Sequence, residues 1–468
     1  MRKPLSLLFV ATVLSSCTMI PDTSRPDFTA AQDWNDVPGY ELPVGQDLAT
    51  QVHWKSFFSS PEFHLIVDTA LQNNKSLQTA ALTIEEARVL YRGERADLFP
   101  NVYAGGEGTI VTSSDASSST GVSQKSKLYE ANLGIASYEL DLFGKIRSNN
   151  RSKINEYLAS AQAHVVVRNA LIAETANAYL QLLADQKLLL LTQKTLETQQ
   201  NTYDILSQSL EKGVATRQAV ALSSIAVETA QVNLHQYSRF VAQDKSALFL
   251  LMGIPERDGF LPAITLDDVA IKDNLNPGLP SNVLLMRPDI QQAEYELFAR
   301  NADIGIARAA FLPSISLTGT YGLASQNLDD LFSSEARGAW SFFPQITIPI
   351  FQGGRNKANL DLADIRKEKA VVHYEQAIQT AFREVADELA ARKTLDEQLA
   401  SQQRLVAAAQ EVYDITDARY QSGVDSFLDV LDAQRELYDF QQSEIQIEQQ
   451  RLANLVNLYK VLGGGSNR

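Results

Sequence analysis

Two long stretches of the chain place apolar residues at helical spacing and lack residues that interrupt helices. Residues 145–252 contain no proline and a single glycine, Gly213, and residues 355–462 contain no proline and only Gly423. Good helix formers dominate both stretches, and glycine is common just past the end of a helix. Each stretch therefore predicts a hairpin of two long helices whose tip lies near its glycine.

Four shorter segments alternate apolar and polar residues, less cleanly in the first half of the chain than in the second, which is the pattern of half-buried β-strands. They form two pairs, at about 98–111 and 127–143 and at about 311–323 and 338–351. Each segment has room for the roughly 9–11 residues of a membrane-spanning strand. The same alternation also fits amphipathic hairpins packed on a water-soluble core, so the pattern alone leaves both interpretations open.

The second half of the chain repeats the first. Gly213-Val214 corresponds to Gly423-Val424 at a shift of 210 residues (423 − 213 = 210), and Gly253 corresponds to Gly463 at the same shift. Matches that keep one register indicate an internal duplication. Each half is predicted to consist of a helix, two strands and a long helical hairpin.

The first seventeen residues have the layout of a bacterial lipoprotein signal. Arg2 and Lys3 precede an apolar stretch, which is followed by small residues and by Cys17, the one cysteine of the chain. The stretch is too short for a spanning helix. The segment Leu14-Ser15-Ser16-Cys17 resembles a lipobox, which implies that Cys17 carries covalent lipid, and Thr18 after it indicates the outer membrane. A secretory signal with a chance cysteine is the alternative.

Composition and charge exclude several classes of protein. The 468 residues include 41 Lys+Arg and 56 Asp+Glu, a net charge of −15, which argues against a nucleic-acid partner. One cysteine excludes a disulfide framework. The five histidines have no metal-binding spacing, and no nucleophilic or acid–base constellation stands out. We therefore predict no metal, no cofactor other than the lipid, and no enzyme.

Four strands raise a problem of closure if they lie in a membrane. They cannot close a barrel alone, and open sheet edges are not tolerated in hydrocarbon. Strands from two copies of the chain would make a barrel filled by side chains, whereas strands from three copies would leave a lumen. Long helices with more than one apolar stripe also need neighbours on both sides. A closed homo-oligomer with a central channel satisfies both requirements.

Three motifs support a resemblance to a known family. They are Tyr138–Gly144 (YELDLFG), Arg287–Ile290 (RPDI) and Leu431–Arg435 (LDAQR). With the lipobox and the duplicated layout, they make the chain resemble the TolC/OprM-type outer-membrane factors of tripartite efflux pumps. The resemblance covers nearly the whole chain after the signal.

The resemblance implies a fold, a location and partners. The fold is that of an α+β membrane protein, a homotrimer with a 12-stranded outer-membrane β-barrel, four strands per protomer, continuous with a periplasmic α-helical barrel. The implied function is the exit duct of a multidrug efflux pump, with a periplasmic adaptor, an inner-membrane RND drug/proton antiporter and outer-membrane lipid as partners. A duct for heavy-metal export or type I protein secretion, and a purely structural lipid-anchored coiled coil, are the alternatives.

The patterns and the resemblance together divide the chain into segments. We predict a signal peptide (1–16) and a lipid-anchored N-terminal segment (17–75), followed by a first repeat (76–253) with strands at about 98–111 and 127–143 and a hairpin at about 148–252. A linker in the equatorial region (254–285) leads to a second repeat (286–463) with strands at about 311–323 and 338–351 and a hairpin at about 355–462. A tail (464–468) ends the chain as given.

Charged residues near the second hairpin tip are candidates for a gate. Asp425, Asp429, Asp432 and Arg435 recur at three- and four-residue spacing, so we expect them on one helical face. At a shift of 210 residues, the last three correspond to uncharged residues of the first hairpin. Threefold symmetry would turn each aspartate into a ring, which can select cations or hold a constriction. A solvated helix face is the alternative interpretation.

The resemblance assigns roles at both tips. It carries a periplasmic constriction onto Leu428, Asp432 and Arg435 and an acidic ring onto Asp429, with Arg435 as an ion-pair partner between neighbouring tips. Contacts to the adaptor are expected at the residues of the two turns, namely Gly213, Val214, Gly423 and Val424.

Overall fold

The computed structural model describes residues 18–22, 25, 48–112, 114, 125–273, 275, 285–334 and 336–465. The predicted signal peptide and the end of the tail lie outside these ranges. So do Cys17, much of the N-terminal segment, most of the loop between the first two strands and part of the linker.

Helices make up most of the described chain. They are α1 (Trp54–Phe57), α2 (Pro61–Asn73), α3 (Lys75–Ala96), α4 (Lys145–Glu211), α5 (Arg217–Met252), α6 (Pro288–Ala309), α7 (Arg355–Gln421) and α8 (Phe427–Val461). Equivalent helices of the two halves match in length: α3 and α6 each have 22 residues, α4 and α7 each have 67, and α5 and α8 have 36 and 35. The order of elements thus repeats along the chain.

One antiparallel sheet contains four strands in the order β1-β2-β3-β4. The strands are β1 (Val102–Thr112), β2 (Lys125–Glu139), β3 (Ser314–Ser325) and β4 (Arg337–Thr347). Two strands end four residues earlier than the sequence predicts. After β2 the chain turns into α4, and after β4 Pro349 has no N–H to continue a strand ladder.

The register of the sheet gives it one apolar face. Leu133 pairs with Tyr321, which pairs in turn with Trp340, so three strands place these side chains on the same side. Tyr321 and Trp340 are 72% and 75% exposed. The face also carries Val102, Ala104, Ile110, Ala131, Ile135, Ile315, Leu317, Leu323, Phe342, Pro344 and Ile346. A large exposed apolar face within one chain indicates contact with another protein or with lipid.

The opposite face of the sheet carries most of its polar side chains. Glu107 lies opposite Glu130 across β1 and β2, and the Thr320 and Ser341 hydroxyls are 2.6 Å apart across β3 and β4. Polar and apolar residues therefore alternate most clearly along β3 and β4, as the sequence predicts. An apolar outside and a polar inside are the arrangement of membrane-spanning β-barrels.

The described chain falls into two compact units. The strand-bearing unit comprises Met1–Asp27, Ile84–Ser160 and Ala293–Tyr374, and the helical unit comprises Phe28–Thr83, Ala161–Gln292 and Glu375–Arg468, of which only the ranges above are described. The main hydrophobic core lies in the helical unit and joins α1, α2 and parts of α4, α5, α7 and α8.

Part of the predicted N-terminal anchor segment belongs to this core. The Phe57 ring stacks on the Tyr459 ring with centroids 4.3 Å apart, and the Phe58 ring stacks on the Phe63 ring at 5.1 Å. The Tyr459 hydroxyl donates a hydrogen bond of 2.7 Å to the carbonyl of Val52. Aromatic pairs contribute about 0.5–1.5 kcal/mol each beyond burial. Residues 49–73 are therefore a folded part of the helical unit.

Candidate functional site

The two hairpin tips have the same backbone geometry. Gly213 and Gly423 adopt φ angles of 76° and 75°, a left-handed conformation that glycine adopts without steric cost. In each tip the glycine N–H bonds three residues back and the following valine N–H bonds five residues back, to Ser209 and Arg419 respectively. This is the Schellman ending of a helix. Val214 and Val424 are 81% and 63% exposed.

The tips pack against each other through a small apolar cluster. Leu206 of α4 lies buried with Phe427 and Leu431 of α8, and Tyr420 and Leu222 pack against them. Burial of such side chains stabilises the folded state by about 1.5–3 kcal/mol each. The two hairpins of one chain are thus held together at their tips by apolar contacts.

The residues assigned to the constriction lie in the first three turns of α8. Leu428 is 44% exposed. Arg435 Nη2 donates a 2.6 Å hydrogen bond to Asp432 Oδ1 of the same helix, and both side chains are more than half exposed. An exposed pair of this kind contributes about 0–1 kcal/mol to stability. Because this ion pair stabilises the single chain so little, Asp432 and Arg435 can exchange it for partners on another chain with a small loss of free energy.

Asp429 has a local structural role besides its charge. Its carboxylate accepts bonds from the Ser426 N–H at 3.0 Å and the Ser426 hydroxyl at 2.7 Å, completing a capping box at the start of α8. The negative charge also lies at the positive end of the helix dipole.

The expectation that Asp425 shares the helical face of the other charged residues is wrong. Helix α8 begins at Phe427 with Ser426 as its N-cap, so Asp425 lies in the turn. Its carboxylate pairs with Arg419 at the end of α7 through bonds of 2.6 and 2.8 Å. The Arg419 guanidinium lowers the pKa of Asp425. Arg419 was not predicted from the sequence, although it lies six residues before an aspartate across a glycine turn.

The Arg-Pro-Asp motif builds a buried ionic cluster in the helical unit. Arg287 is 7% exposed. Its guanidinium donates to Asp289 at 2.7 Å, to Glu384 of α7 at 2.7 Å and to the carbonyl of Val461 at 2.7 Å. Pro288 starts α6 at a position where its missing N–H is not needed. The motif therefore joins the start of α6 to α7 and to the end of α8.

The Tyr138–Gly144 motif forms the connection from β2 to α4. The two carboxylate oxygens of Asp141 accept bonds from the N–H groups of Ile146 and Arg147 at 3.0 and 2.9 Å, and the Arg147 side chain returns to the same carboxylate at 3.0 Å. Gly144 supplies a left-handed residue with φ of 73°. These contacts satisfy two of the free N–H groups at the start of a 67-residue helix.

A carboxyl pair inside the first hairpin was not predicted from the sequence. Asp185 of α4 is 5% exposed and lies beside Asp244 of α5, while Gln181 donates to Asp185 at 3.0 Å. Burial, followed by the Asp185 carboxylate, raises the pKa of Asp244 to about 7. The two residues are 59 positions apart in sequence (244 − 185 = 59), and neither lies in a recognisable motif.

Two other features are absent from the described residues. No group of three or more His, Cys, Asp or Glu side chains in them is placed to hold a metal ion. None of their helices combines the length and the apolar character needed to span a membrane. Cys17, the predicted lipid attachment point, lies outside the described ranges.

Comparison with known proteins agrees with the geometry. A sequence model described as "Outer membrane efflux protein" matches residues 66–254 and 279–464, together more than half of the chain. The antibiotic efflux pump outer membrane protein ArpC and the toluene efflux pump outer membrane protein TtgC, both of Pseudomonas putida, are each 44% identical over 98% of this chain and 95% of their own length.

A solved structure shares the fold. The open state of the MtrE outer membrane channel of Neisseria gonorrhoeae superposes with a TM-score of 0.87 at 37% identity, covering 96% of this chain and 98% of that one. The family model and the relatives cover both halves of the duplication, the four strands and the two long hairpins. The chain belongs to the outer membrane efflux protein family.

Proposed function

We propose that this protein is the trimeric exit channel of a tripartite RND-type multidrug efflux pump in the outer membrane, closed at rest by its hairpin tips. The observation that carries the proposal is the four-stranded sheet, with one exposed apolar face and one polar face. Relatives named for antibiotic and toluene efflux support apolar and amphipathic small molecules as the substrate class.

The sheet itself argues for three copies. Among the described residues, the outer edges of β1 and β4 have no strand partner. Unpaired backbone groups are not tolerated in hydrocarbon, so the edges need strands from other copies. Twelve strands from three chains enclose a lumen, whereas eight leave only enough space for side chains. The apolar face then contacts lipid and the polar face lines the channel.

The gate is proposed at the start of α8. Leu428, Asp432 and Arg435 form the constriction, and threefold symmetry repeats Asp429 and Asp432 as rings. In the trimer, Arg435 forms its ion pair with a neighbouring tip in place of the weak intrahelical pair with Asp432. Gly213, Val214, Gly423 and Val424 contact the adaptor, supported by the exposure of both valines. Lipid on Cys17, supported by the lipobox, anchors each protomer.

Planar-bilayer conductance of the purified protein tests the channel and its gate together. The wild-type protein should conduct weakly, and the double variant D432A/R435A should conduct several-fold more because the constriction opens. E436A, which changes an exposed charge on the adjacent position of the same helix, is the matched control and should conduct like the wild type. The D429N variant keeps a side-chain oxygen that can accept the hydrogen bonds from Ser426. A change in the ion selectivity of the D429N channel would therefore report the loss of the negative charge at this position.

Cell assays test the role in efflux. Loss of the protein should raise susceptibility to apolar antibiotics and solvents, and the wild-type gene should restore resistance. Unchanged conductance in correctly assembled D432A/R435A trimers would refute the gate. Unchanged susceptibility in cells that lack the protein, with no other duct present, would refute the efflux role.

A further inference from the structure

A cavity of 430 Å³ lies in the helical unit where α4, α8 and the segment 264–267 meet. Helix α4 contributes residues on one of its faces, from Leu183 to Lys194, and α8 contributes three residues within 441–445. Pockets that bind small molecules in proteins have volumes of about 300–1,000 Å³. The cavity is therefore large enough for a small ligand, and we call it the seam cavity.

The walls of the seam cavity are mainly apolar. Leu183 and Ile445 are buried, while Leu190 is 51% exposed. The other apolar residues of the lining are Leu191, Ile264 and Leu266. Small-molecule sites use such walls to bind the body of a ligand and a few polar groups to fix its orientation. The walls therefore favour a ligand with an apolar body.

The segment that forms one side of the seam cavity is held in place by its own contacts. Leu266 is 1% exposed and belongs to the main core of the helical unit. The Asp268 carboxylate accepts hydrogen bonds from the Thr265 N–H at 3.0 Å and from the Thr265 hydroxyl at 2.7 Å. Asp267 forms an ion pair of 2.6 Å with Lys187 of α4. Because this wall is already ordered, a ligand binds to it with a smaller loss of conformational entropy.

Three polar side chains of the lining have unused hydrogen-bonding capacity. They are Gln186 of α4 and Gln441 and Glu444 of α8, and all three are half-buried. Within the part of the chain that the structure describes, none of these side chains forms a hydrogen bond to another protein group. Half-buried polar groups have lost part of their water, and a ligand that supplies a partner restores the missing interaction.

Negative charge is in excess at one end of the seam cavity. Lys187 pairs with Asp267 at 2.6 Å and with Glu448 at 2.9 Å, and Glu444 is a third carboxyl group near the same ammonium. The three carboxylates and one ammonium sum to −2 (1 − 3 = −2). Burial raises the pKa of Glu444, and the neighbouring carboxylates add to this shift while Lys187 opposes it. A bound cation would offset the cost of ionising Glu444.

Lys194 gives the other end of the seam cavity the opposite charge. Its side chain is exposed and has no ion pair among the described residues. Lys194 follows Lys187 by seven residues on α4 (194 − 187 = 7), which is about 10 Å along a helix. The cavity therefore attracts a cation at the end near Glu444 and repels a cation at the end near Lys194.

We propose that the seam cavity binds a small amphipathic organic cation with a single charge, whose ammonium group pairs with Glu444 and whose apolar body lies against Leu190 and Ile445. The side chains of Gln186 and Gln441 offer hydrogen bonds to polar substituents of the ligand. Such a ligand bridges α4, α8 and the segment that carries Leu266. None of the lining residues belongs to the gate or to the adaptor contacts proposed above, so the site is independent of those assignments.

Isothermal titration calorimetry of the full-length protein in phosphatidylcholine nanodiscs tests this binding. The probes are the cation 2-naphthylmethylammonium, the neutral 2-naphthylmethanol and the anion 2-naphthoate, with empty nanodiscs as the blank. The cation should bind saturably and at least about tenfold more tightly than either analogue, because only the cation pairs with Glu444. Heat from the cation that equals the blank, or equally tight binding of 2-naphthoate, would overturn the proposal.

Removing the charge of Glu444 tests its role directly. E444Q should weaken binding of the cation by about tenfold or more and should leave binding of 2-naphthylmethanol unchanged. E411Q, which removes the same charge from an exposed position of α7, is the matched control and should bind the cation like the wild type. Equal affinities of E444Q and the wild type for the cation would show that Glu444 is not its partner.

Reversing the charge of Lys194 tests the other end of the cavity. The dication 2,6-bis(ammoniomethyl)naphthalene should bind the wild type no more tightly than the monocation, because Lys194 repels its second ammonium group. K194E should instead bind the dication several-fold more tightly than the monocation. This variant also provides the test if E444Q does not assemble. The same order of affinities in K194E and the wild type would contradict the proposed orientation of the ligand.

Hydrogen exchange measured by mass spectrometry locates the bound probe. The monocation should slow amide exchange in residues 183–194, 264–267 and 441–445 and leave the tip residues 209–216 unchanged. Protection confined to other parts of the chain would overturn the site. Bilayer conductance of the same protein reports the channel separately, so a protein that binds the cation at the seam cavity and does not conduct would refute only the proposed function.

Discussion

Arg419 and Asp425 are joined by two hydrogen bonds, of 2.6 and 2.8 Å, across the second hairpin tip. At a shift of 210 residues their counterparts in the first tip are Ser209 and Ala215, which carry no charge. The two tips share a backbone geometry and differ in this ion pair. The duplication has therefore kept the turn and changed its electrostatics.

The ion pair predicts acid-sensitive order at one tip only. Because the guanidinium lowers the pKa of Asp425, its stabilising contribution is present above the ordinary aspartate pKa of about 3.9 and is lost as the pH falls through the lowered value. D425N should speed amide hydrogen exchange in residues 419–426 at neutral pH and leave residues 209–216 unchanged, as measured by mass spectrometry. Equal exchange in the variant and the wild type would contradict the role of the pair.

The buried Arg287 cluster predicts a large loss of stability on truncation. R287M would leave Asp289, Glu384 and the Val461 carbonyl without their shared donor, and breaking such a pair typically costs about 3–5 kcal/mol. Denaturant unfolding in detergent measures the free-energy difference. R383A is the control, because Arg383 and Asp387 are 3.9 Å apart and more than 70% exposed, so its cost should stay below about 1 kcal/mol. Similar losses for both variants would argue against the cluster.

The Asp185–Asp244 pair predicts a pH dependence near neutrality. The pKa of Asp244 is raised to about 7, so the folded state binds this proton more tightly than the unfolded state, and the stabilisation is lost as the pH rises through about 7. The melting temperature should therefore be higher at pH 6 than at pH 8. D244N should remove this difference and raise the melting temperature at pH 8. D387N, at an exposed position, should leave the pH profile unchanged. A flat wild-type profile would contradict the raised pKa of Asp244.

Two glycines of the sheet predict opposite outcomes for the same substitution. A Cβ atom on Gly322 of β3 would collide with the carbonyl oxygen of Ala131 and lie 2.6 Å from the Cα of Asn132, both in β2. G322A should therefore disrupt the pairing of β2 with β3 and reduce heat-resistant oligomers on unheated gels to a small fraction of wild type. G338A in β4 meets nothing within 4 Å and should assemble normally. Normal assembly of G322A would show that the strands can separate without loss of the sheet.

The local features of the fold were predictable because their signals lie close together in sequence. The positions of the two tips were predictable from Gly213 and Gly423, because each is the single glycine of its helical stretch. The strand faces follow from the period of two that apolar residues keep in β3 and β4. Strand ends were less predictable, because β2 ends where Asp141 turns to cap α4, and that contact depends on geometry rather than on periodicity.

Interactions between distant residues were not predictable in the same way. Helical spacing predicted that Asp425 shares a face with Asp429 and Asp432. The helix instead begins two residues after Asp425, at a capping box, and the Asp425 carboxylate forms an ion pair with Arg419. The pairing of Asp185 with Asp244 depends on the alignment of α4 with α5. No local pattern fixes which residues of two long helices lie opposite each other.

The sequence by itself determined the duplication, the four strands, the two long hairpins and the family, because each depends on spacing within a short segment or on motifs in order. Only the tertiary structure decided that Arg287 is a buried cation shared by α6, α7 and α8. It likewise decided that Ile20, Pro21 and Arg25 contact α6, and that residues 49–73 belong to the core of the helical unit. These relationships join residues up to several hundred positions apart, and burial and close packing, not local propensity, select them.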